Sequence, residues 1–344
     1  MEAPSVCIVI LNFNGWKDTI ECIQSISALN YENYKLVIID NNSPDGSEKK
    51  ILDWLSGREK HQFSIDQRIA EHVDIVDNRS IPYIYLTQKE INEHYIADST
   101  NKDIIFIQAG ENRGYSAGNN IGIRYALKKN FDYIWILNND TLIPSDTLTK
   151  MINHIQSNGS LGIVGCRLFL YHNPDRLQCE GGYIHNQLTG RVSPVYNYKE
   201  IADINDKQGA LLFFNTGASF LIDINVFAKI GLLDEDYFIY FEESDLTVKA
   251  LRKGFKISCA TNAFIFHKEG ATIQDTNTKT SSLLSDYYSV RNRIIYTLKN
   301  NPKYIIPIYL SLLIVLLKRM QRKEWRKFIN VIKIILNPYR QFKK

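Results

Sequence analysis

The first 140 residues alternate between short apolar runs and segments with helical spacing. In the segments 16–29 and 119–130, apolar residues recur every three or four positions, as on one face of a helix. Near-continuous apolar strands that alternate with helices are typical of an α/β fold, with a mostly parallel sheet covered on both faces. Four β-branched, apolar runs are predicted to be its strands: Val6–Leu11, Lys35–Ile39, Ile104–Ile107 and Tyr133–Leu137.

The pattern after residue 140 is less regular. Residues 161–170 are predicted to be a strand-pair region, and residues 211–223 one further strand with Gly217 at a close approach. Residues 231–254 lead into a helix that ends at Gly254, and the next strand ends at His267.

Residues 45–103 interrupt the strand–helix alternation. The stretch is long and polar, and it is rich in Ile and Tyr only near residues 81–86. A connection of this length needs its own structure or a function. We expect an inserted lid or small subdomain, and a variable surface excursion remains the alternative.

The C-terminal segment combines apolar and basic residues. Residues 304–317 are apolar, but the run is fourteen residues long and contains Pro307, whereas a spanning helix needs about 20 residues. A basic run and the amphipathic stretch 328–336 follow. We expect residues 296–344 to form amphipathic, basic helices that lie on the anionic cytoplasmic leaflet, with residues 1–295 as a separate domain. A helical hairpin packed on the body is the alternative.

Charge and cysteine content narrow the functional classes. The chain of 344 residues has a net charge of +4, but residues 318–344 hold ten Lys and Arg and one acid, so the remainder is acidic at −5. The positive charge therefore belongs to the tail, and nucleic-acid binding is not expected. Five scattered cysteines without a C-x-x-C pair indicate free thiols in a reducing compartment, and the apolar N-terminus is predicted to be a strand and not a signal peptide. The predicted location is cytoplasmic, peripheral on the membrane.

Polar residues follow each predicted strand at its carboxyl end. In open α/β sheets, ligands bind beyond this edge. The G-x-G-x-x-G and G-x-x-x-x-G-K-[ST] patterns are missing, which disfavours a nicotinamide dinucleotide and P-loop binding of ATP. Four clusters at one edge favour a binding site over ordinary turns: 12–14, 40–43, 110–119 and 138–140.

Two groups of residues are candidates for metal binding and for general base catalysis. Asp140 and His267 each follow a strand, and together they suit Mg²⁺ or Mn²⁺ with water and phosphate oxygens. A second group lies at the start of a predicted helix and consists of Glu242, Glu243 and Asp245. The helix dipole stabilises negative charge in the first turn, which would explain these acids, and the alternative is that one of them is a general base. Arg113, in a glycine-flanked loop, suits contact with a phosphate or a base.

Seven motifs in order resemble glycosyltransferases of family 2, in particular the rhamnosyltransferase-like branch that builds bacterial surface polysaccharides such as O-antigen. They are VILNFNG, VIIDNNSPDGS, NRGYSAGNNIGI, WILNNDT, the segment 215–246, FIFHKEG and YYSVRNR. The resemblance covers roughly residues 5–295, apart from the insertion. It implies a GT-A fold, which is Rossmann-like, a nucleoside-diphosphate sugar donor, a divalent metal and inversion at the anomeric carbon.

The resemblance also implies roles for single residues. Asn138-Asn139-Asp140 corresponds to the family's D-x-D element with only the last acid kept, so Asp140 would hold the metal with His267 near it. Asn139 would lie near the ribose, and Asp40 and Arg113 near the nucleotide base. Glu243 matches the catalytic base, with Glu242 as a possible substitute. The other candidates for nucleotide-sugar binding are Asn12, Asn14, Asn42, Asn112, Gly114, Asn119, Asn138 and Gly217.

The resemblance leaves the substrates open. A donor of dTDP-L-rhamnose is favoured slightly, because Asn139 in place of an acid suits a ribose that lacks its 2′-hydroxyl. UDP-galactofuranose or another UDP-hexose is the close rival, and a nucleotidyltransferase a more distant one. A lipid-linked acceptor such as a polyprenyl-diphosphate saccharide fits the tail. The stretch QRKEW departs from the Q-x-x-R-W motif of processive members, so one sugar per encounter is expected. The alternative from another class is a non-catalytic nucleotide-binding subunit of a polysaccharide assembly complex.

Overall fold

A computed structural model describes residues 3–76, 80–92, 104–207, 209–268, 282–340 and 342. In chain order, its strands are β1 Val6–Asn12, β2 Tyr34–Asp40, β3 Tyr83–Thr87, β4 Ile104–Gln108, β5 Tyr133–Asn138, β6 Thr141–Leu142, β7 Leu161–Leu170, β8 Asn173–Glu180, β9 Gly182–Asn186, β10 Arg191–Pro194, β11 Leu211–Asn215, β12 Ser219–Asp223 and β13 Lys256–His267. The helices are α1 Trp16–Ile26, α2 Ser47–Leu55, α3 Gln67–Ala70, α4 Gln88–Asn92, α5 Tyr115–Lys128, α6 Thr147–Gln156, α7 Ile224–Ile230, α8 Glu242–Arg252, α9 Leu283–Asn300, α10 Ile305–Gln321 and α11 Trp325–Leu336.

Ten strands form one mixed, mostly parallel sheet, as the apolar runs predict. Its order is β3-β4-β2-β1-β5-β12-β7-β13-β6, and β8 pairs with β7. The five strands from β3 to β5 are all parallel, whereas β12 runs antiparallel between β5 and β7. A second, three-stranded sheet has the order β10-β9-β11.

The central strands are buried on both faces, which explains their near-continuous apolar sequence. In β1, Val6, Ile8 and Ile10 pack into the core beside α1, α2 and α6, while Cys7 and Val9 pack into the core beside α5, α7 and α8. All five side chains have no exposed area. Helices therefore cover both sides, and the open edge at the strand ends remains for a ligand.

The structure corrects three predictions about single elements. Residues 161–170 form one strand, β7, whose partners include β8. Residues 211–223 form two strands that belong to different sheets, because the chain turns at residues 216–218. Helix α5 begins at Tyr115, four residues before the predicted start, since the helix takes up part of the glycine-containing loop.

The described part of residues 45–103 packs on the body. It contains α2, α3, β3 and α4, and β3 adds a parallel edge strand beside β4. Residues 77–79 and 93–103 lie outside the described residues. The assignment to a lid or subdomain stays a prediction, but Tyr83–Thr87 belongs to the main sheet.

The tail helix is longer than the sequence predicts. Helix α10 continues to Gln321, and a 3-10 turn at Pro302–Tyr304 precedes it. Pro307 lies in the first turn, where backbone N–H groups need no partner within the helix, so it does not interrupt the helix. By length and composition alone, Pro302–Gln321 is a candidate membrane span, and it is largely exposed. The length of fourteen residues that the apolar run gave for this segment was therefore too short.

Candidate active site

The strand ends converge as the parallel sheet requires. Asn12 at the end of β1 is in register with Asp40 of β2, and Asp40 is in register with Gln108 of β4. Asn138 ends β5 beside them, and its N–H donates to the carbonyl of Ala218 at 3.0 Å. The polar clusters and the turn at residues 216–218 therefore share one edge of the sheet.

Asp40 and Asn12 form the buried centre of this edge. The amide of Asn12 donates to Asp40 Oδ1 at 2.6 Å, and Ser43 donates to both carboxylate oxygens, at 2.7 Å from its hydroxyl and 3.0 Å from its backbone N–H. Gln108 supplies a fourth bond, to Oδ2 at 3.1 Å. These bonds satisfy the carboxylate, so Asp40 orders the strand ends, and a direct contact with a nucleotide would have to replace one of them.

Asn139 contacts the start of α1. Its amide nitrogen lies 2.9 Å from Thr19 Oγ1 and 3.3 Å from the carbonyl of Gly15. A Cβ on Gly15 would lie 2.6 Å from that nitrogen, so glycine allows the close approach. The amide hydrogens thus join β5 to α1, and contact with a ribose stays a prediction. Asn138 is half-buried, and Asn14 and Asn42 are exposed with left-handed backbones at a φ of 57° each.

Asp140 and His267 come together, although 127 positions separate them in the sequence. His267 Nε2 lies 3.2 Å from Asp140 Oδ1. The other ring nitrogen, Nδ1, is 3.0 Å from Gln178 Oε1, which favours a tautomer that leaves Nε2 free of its proton. Burial acts to raise the pKa of Asp140, but His267 in its protonated form, a backbone N–H and Lys268 together lower the pKa.

The pair fits a divalent cation. Asp140 Oδ1 is buried and accepts no hydrogen bond of good geometry in the described residues, so the oxygen lacks a donor. Within the described ranges, no third His, Cys, Asp or Glu completes a cluster of three. Two protein ligands that leave the other positions to water and phosphate oxygens are typical of Mg²⁺ and related ions.

The two glutamates lie at the start of α8, near this pair. The N–H of Gly217 donates to Glu243 Oε1 at 3.0 Å, while Glu242 is buried and its Oε2 has no partner in the described structure. Burial raises the pKa of both groups, and the negative charge of Glu243 raises that of Glu242 further. Backbone N–H groups oppose the rise at Glu243, so Glu242 holds its proton to the higher pH.

Tyr115 connects the two halves of the site. Its hydroxyl donates to the carbonyl of Gly217 at 2.7 Å. Burial raises the pKa of Tyr115, and the charges of Glu243, Glu242 and Asp140 raise it further. The hydrogen bonds of Gly217 join Glu243 and Tyr115 to the turn at residues 216–218, and Ala218 of this turn accepts from Asn138, two positions before Asp140. Neither Tyr115 nor Gln178 was predicted from the sequence, because nothing in their local pattern separates them from other polar residues.

The loop before α5 is held by its own side chains. Asn41 donates to Asn112 Oδ1 at 3.0 Å, and the N–H of Gly114 donates to the same oxygen at 2.9 Å. Gly114 has a φ of 93°, and a Cβ there would lie 2.3 Å from the carbonyl oxygen of Phe238. Only glycine fits this close approach.

Two further candidates have partners within the protein. Arg113 Nη2 lies 3.0 Å from Glu235 Oε2, and the arginine side chain is 52% exposed. A phosphate would have to compete with this carboxylate. Asn119 is buried and donates to the carbonyl of Tyr115 at 3.0 Å, while its Oδ1 has no partner in the described residues.

Two curated proteins resemble this chain in sequence. The chain is 27% identical over 239 residues to the low-salt glycan biosynthesis hexosyltransferase Agl10 of Haloferax volcanii, covering 69% of this chain and 70% of that protein. It is 23% identical over 250 residues to the dTDP-rhamnosyl transferase RfbF of Shigella flexneri, covering 70% and 74%.

Solved structures agree on the fold. The mannosyltransferase PcManGT from Pyrobaculum calidifontis, in complex with GDP-Man and Mn²⁺, superposes with a TM-score of 0.53 at 12% identity over 98% of this chain and 88% of that one. TarS 1-349 of S. aureus gives 0.50 at 12% identity over 97% and 81%. The fold is therefore GT-A-like. The profile named "Glycosyl transferase family 2" matches residues 7–69 and 72–231, more than half of the sequence. The chain therefore belongs to glycosyl transferase family 2 and is a glycosyltransferase.

Proposed function

We propose that the protein is a metal-dependent, inverting glycosyltransferase that moves one sugar from a nucleoside diphosphate to an acceptor hydroxyl. One observation carries the proposal. Glu243 is held by the N–H of Gly217, in a turn that also bonds to Asn138, two positions before Asp140. Asp140 has a buried oxygen beside His267 that accepts no hydrogen bond of good geometry from the residues that the structure describes. Displacement of a diphosphate by a hydroxyl requires a base that takes the hydroxyl proton and a cation that stabilises the leaving diphosphate.

Asp140 Oδ1 and His267 Nε2 would hold the cation, and Gln178 would orient the imidazole. When bound, a divalent ion stabilises the negative charge that grows on the leaving diphosphate.

Glu243 acts as the base. Its carboxylate accepts the proton of the acceptor hydroxyl while that oxygen attacks the anomeric carbon from the side opposite the diphosphate. The bond from Gly217 fixes one carboxylate oxygen, and the hydroxyl of Tyr115 fixes the carbonyl of the same glycine. Because burial and Glu243 raise the pKa of Glu242, this residue holds its proton to a higher pH than Glu243 and so lessens the negative charge beside the base. Holding base, acceptor and donor in line supplies much of the acceleration.

The proposed donor is dTDP-L-rhamnose. Its support is the likeness to RfbF, whose name describes a dTDP-rhamnosyl transferase. Asn139 adds no support for this donor, because its amide contacts α1. A UDP-sugar, galactofuranose or another hexose, is the rival donor, and the relative Agl10 is named only as a hexosyltransferase.

The proposed acceptor is a saccharide on a polyprenyl diphosphate, in the synthesis of a bacterial surface polysaccharide, and the proposed location is the inner face of the cytoplasmic membrane. The support is the α10–α11 hairpin. Ile308 and Leu312 of α10 and Val331 and Ile334 of α11 pack beneath α9. Large apolar side chains cover the opposite side: Ile306, Leu310, Leu313, Ile314, Leu317, Met320, Trp325, Ile329, Ile332 and Leu336.

Charge complementarity favours an anionic bilayer as the partner of this apolar face. Exposed basic residues lie at the ends of the helices and between them, at Lys318, Arg322, Lys323, Arg326 and Lys333. The hairpin is tied to the body by Arg319, which pairs with Asp286 of α9 and, at 2.6 Å, with Glu324. A hairpin anchored along one side suits helices that lie in the plane of the leaflet.

A donor panel tests the proposal. The protein is incubated with Mn²⁺ and with dTDP-, UDP- and GDP-sugars, and released nucleotide is measured with and without lipid-linked acceptor. Asp140→Ala should weaken binding of the Mn²⁺–nucleotide complex, and Glu243→Gln should keep binding while transfer falls by 10²-fold or more. Nucleotide binding without release from any donor would support the non-catalytic subunit instead.

A further inference from the structure

The loop that leads into the catalytic helix has a strained backbone. Tyr240 and Phe241 have φ values of 70° and 75°, a region that bulky side chains rarely adopt. Phe241 is the residue before α8, and its side chain makes no capping hydrogen bond to this helix. The direction in which α8 presents Glu242 and Glu243 therefore depends on two residues in an unfavourable conformation. Something outside the loop must hold them there.

Asn292 of α9 supplies the contact. Its side chain has no exposed area, and its amide nitrogen donates to the carbonyls of Ile239 at 2.8 Å and Tyr240 at 3.0 Å. Both amide hydrogens are thus used on consecutive carbonyls of the strained turn. Asn292 Oδ1 accepts from Arg291 Nη1 at 2.7 Å, and the same nitrogen donates to the carbonyl of Asp236 at 2.8 Å. The arginine fixes which end of the amide faces the loop.

The 236–241 loop also contacts the start of α5. The carbonyl of Phe238 accepts from the N–H of Tyr115 at 2.7 Å, next to Gly114. Tyr240 adds a hydroxyl contact of 2.8 Å with Ser285 of α9. The loop therefore lies between α9 and the start of α5, and its geometry determines where the base lies relative to the donor side.

We propose that Asn292 is a positioning residue for the transfer reaction, which holds Glu243 in place through the left-handed turn at Tyr240 and Phe241. The inference rests on the proposed function, since it assumes that Glu243 is the base. Asn292 itself lies behind the loop and contacts no reacting atom. Its loss should move the base and leave the cation site at Asp140 and His267 as it is.

The test compares two matched Asn→Asp changes. Asn292→Asp keeps the shape but removes the donor that faces the two carbonyls, and Arg291 neutralises the new charge. Asn205→Asp is the control, because Asn205 also bridges backbone groups, at 2.9 Å to both the N–H and the carbonyl of Phe213, away from the 236–241 loop. The measurements are kcat and KM for nucleotide release from the donor that the panel identifies, normalised to folded protein, and the Kd of the Mn²⁺–nucleotide complex.

We expect Asn292→Asp to lower kcat by about 10²-fold, as for a 1 Å misplacement of a catalytic group, with KM and Kd within about threefold of wild type. Asn205→Asp should leave kcat unchanged. Equal kcat losses in both variants, or a wild-type kcat in Asn292→Asp, would overturn the proposal.

Two further measurements keep the inference testable. If Asn292→Asp does not fold, Arg291→Met leaves the amide but removes its orienting bond, and kcat should still fall several-fold at unchanged Kd; an unchanged kcat rejects the proposal. Amide hydrogen exchange of residues 236–243 should be faster in either variant than in wild type, and unchanged exchange also rejects it. Exchange does not depend on turnover, so a wild type that is inactive with every donor would count against the proposed function and leave this test valid.

Discussion

A methyl group at Gly217 should displace the proposed base without unfolding the protein. A Cβ at this position would lie 2.6 Å from Glu243 Oε1 and 2.9 Å from the hydroxyl of Tyr115, whereas ordinary contact begins near 3.4 Å. Both obstructing atoms are the far ends of side chains. Gly217 does not have a positive φ, so alanine is allowed by the backbone. The side chains will therefore move, and the main chain will stay.

The size of the effect follows from these distances. Glu243 Oε1 must retreat by about 0.8 Å and the tyrosine hydroxyl by about 0.5 Å to reach ordinary contact. A misplacement near 1 Å costs roughly 10²-fold in rate, or about 2.7 kcal/mol of transition-state stabilisation. Stability should change by less than about 1 kcal/mol, because Gly→Ala at an allowed φ reduces the entropy of the unfolded chain and offsets part of the rearrangement.

The assay is nucleotide release from the chosen donor together with a thermal melt. Gly159→Ala is the control, since a Cβ there meets nothing within 4 Å. We expect Gly217→Ala to lose about 10²-fold in kcat at a nearly unchanged Tm, and Gly159→Ala to match wild type in both. A folded Gly217→Ala protein with kcat within twofold of wild type would refute the assignment of Glu243 as the base.

Three other predictions concern the metal site, the buried glutamates and the tail. Gln178→Leu should raise the Mn²⁺ concentration for half-maximal nucleotide binding by about 10-fold, because the metal-site imidazole loses the partner that orients it; equal titration curves would contradict this. The free energy of unfolding should fall as pH rises above about 4.5, because burial raises the pKa of the glutamate pair and the folded state then binds protons more tightly than the unfolded chain. Urea titrations at pH 5 and pH 8 measure this dependence, and Glu242→Gln should flatten it. The same pH dependence in wild type and variant would count against the prediction. Leu313→Glu with Leu317→Glu should reduce flotation with anionic vesicles by tenfold or more, whereas Leu188→Glu, outside the hairpin, should not; loss of self-association in place of flotation would identify a second copy as the partner.

The sequence predicted the parts of the fold that depend on local periodicity. The strands β1, β2, β4 and β5 lie where their apolar runs are, because a strand buried on both faces needs an uninterrupted apolar sequence. The polar ends of those strands meet at one edge for the same topological reason. The GT-A-like fold and the family membership inferred from the ordered motifs are confirmed.

Contacts between distant segments could not be predicted in this way. Nothing near Asn139 indicates that its amide donates to Thr19, 120 positions away, and nothing near Arg113 indicates its pairing with Glu235. The length of α10 was underestimated because only the apolar run to Leu317 was counted, whereas the helix continues through basic residues to Gln321. Pro307 was treated as an interruption, while its effect depends on its position within the helix. The roles of the site residues in binding and catalysis stay predictions.

Helix α9 has two neighbours with different tasks. Asn292 contacts the loop before the base, while Tyr287, Val290 and Ile294 pack against the α10–α11 hairpin. If the hairpin rests on lipid as proposed, α9 sets the height and tilt of the site above the leaflet. A lipid-bound substrate that diffuses laterally would then arrive with its sugar at the depth of the site, and its search would take place in two dimensions and not in three.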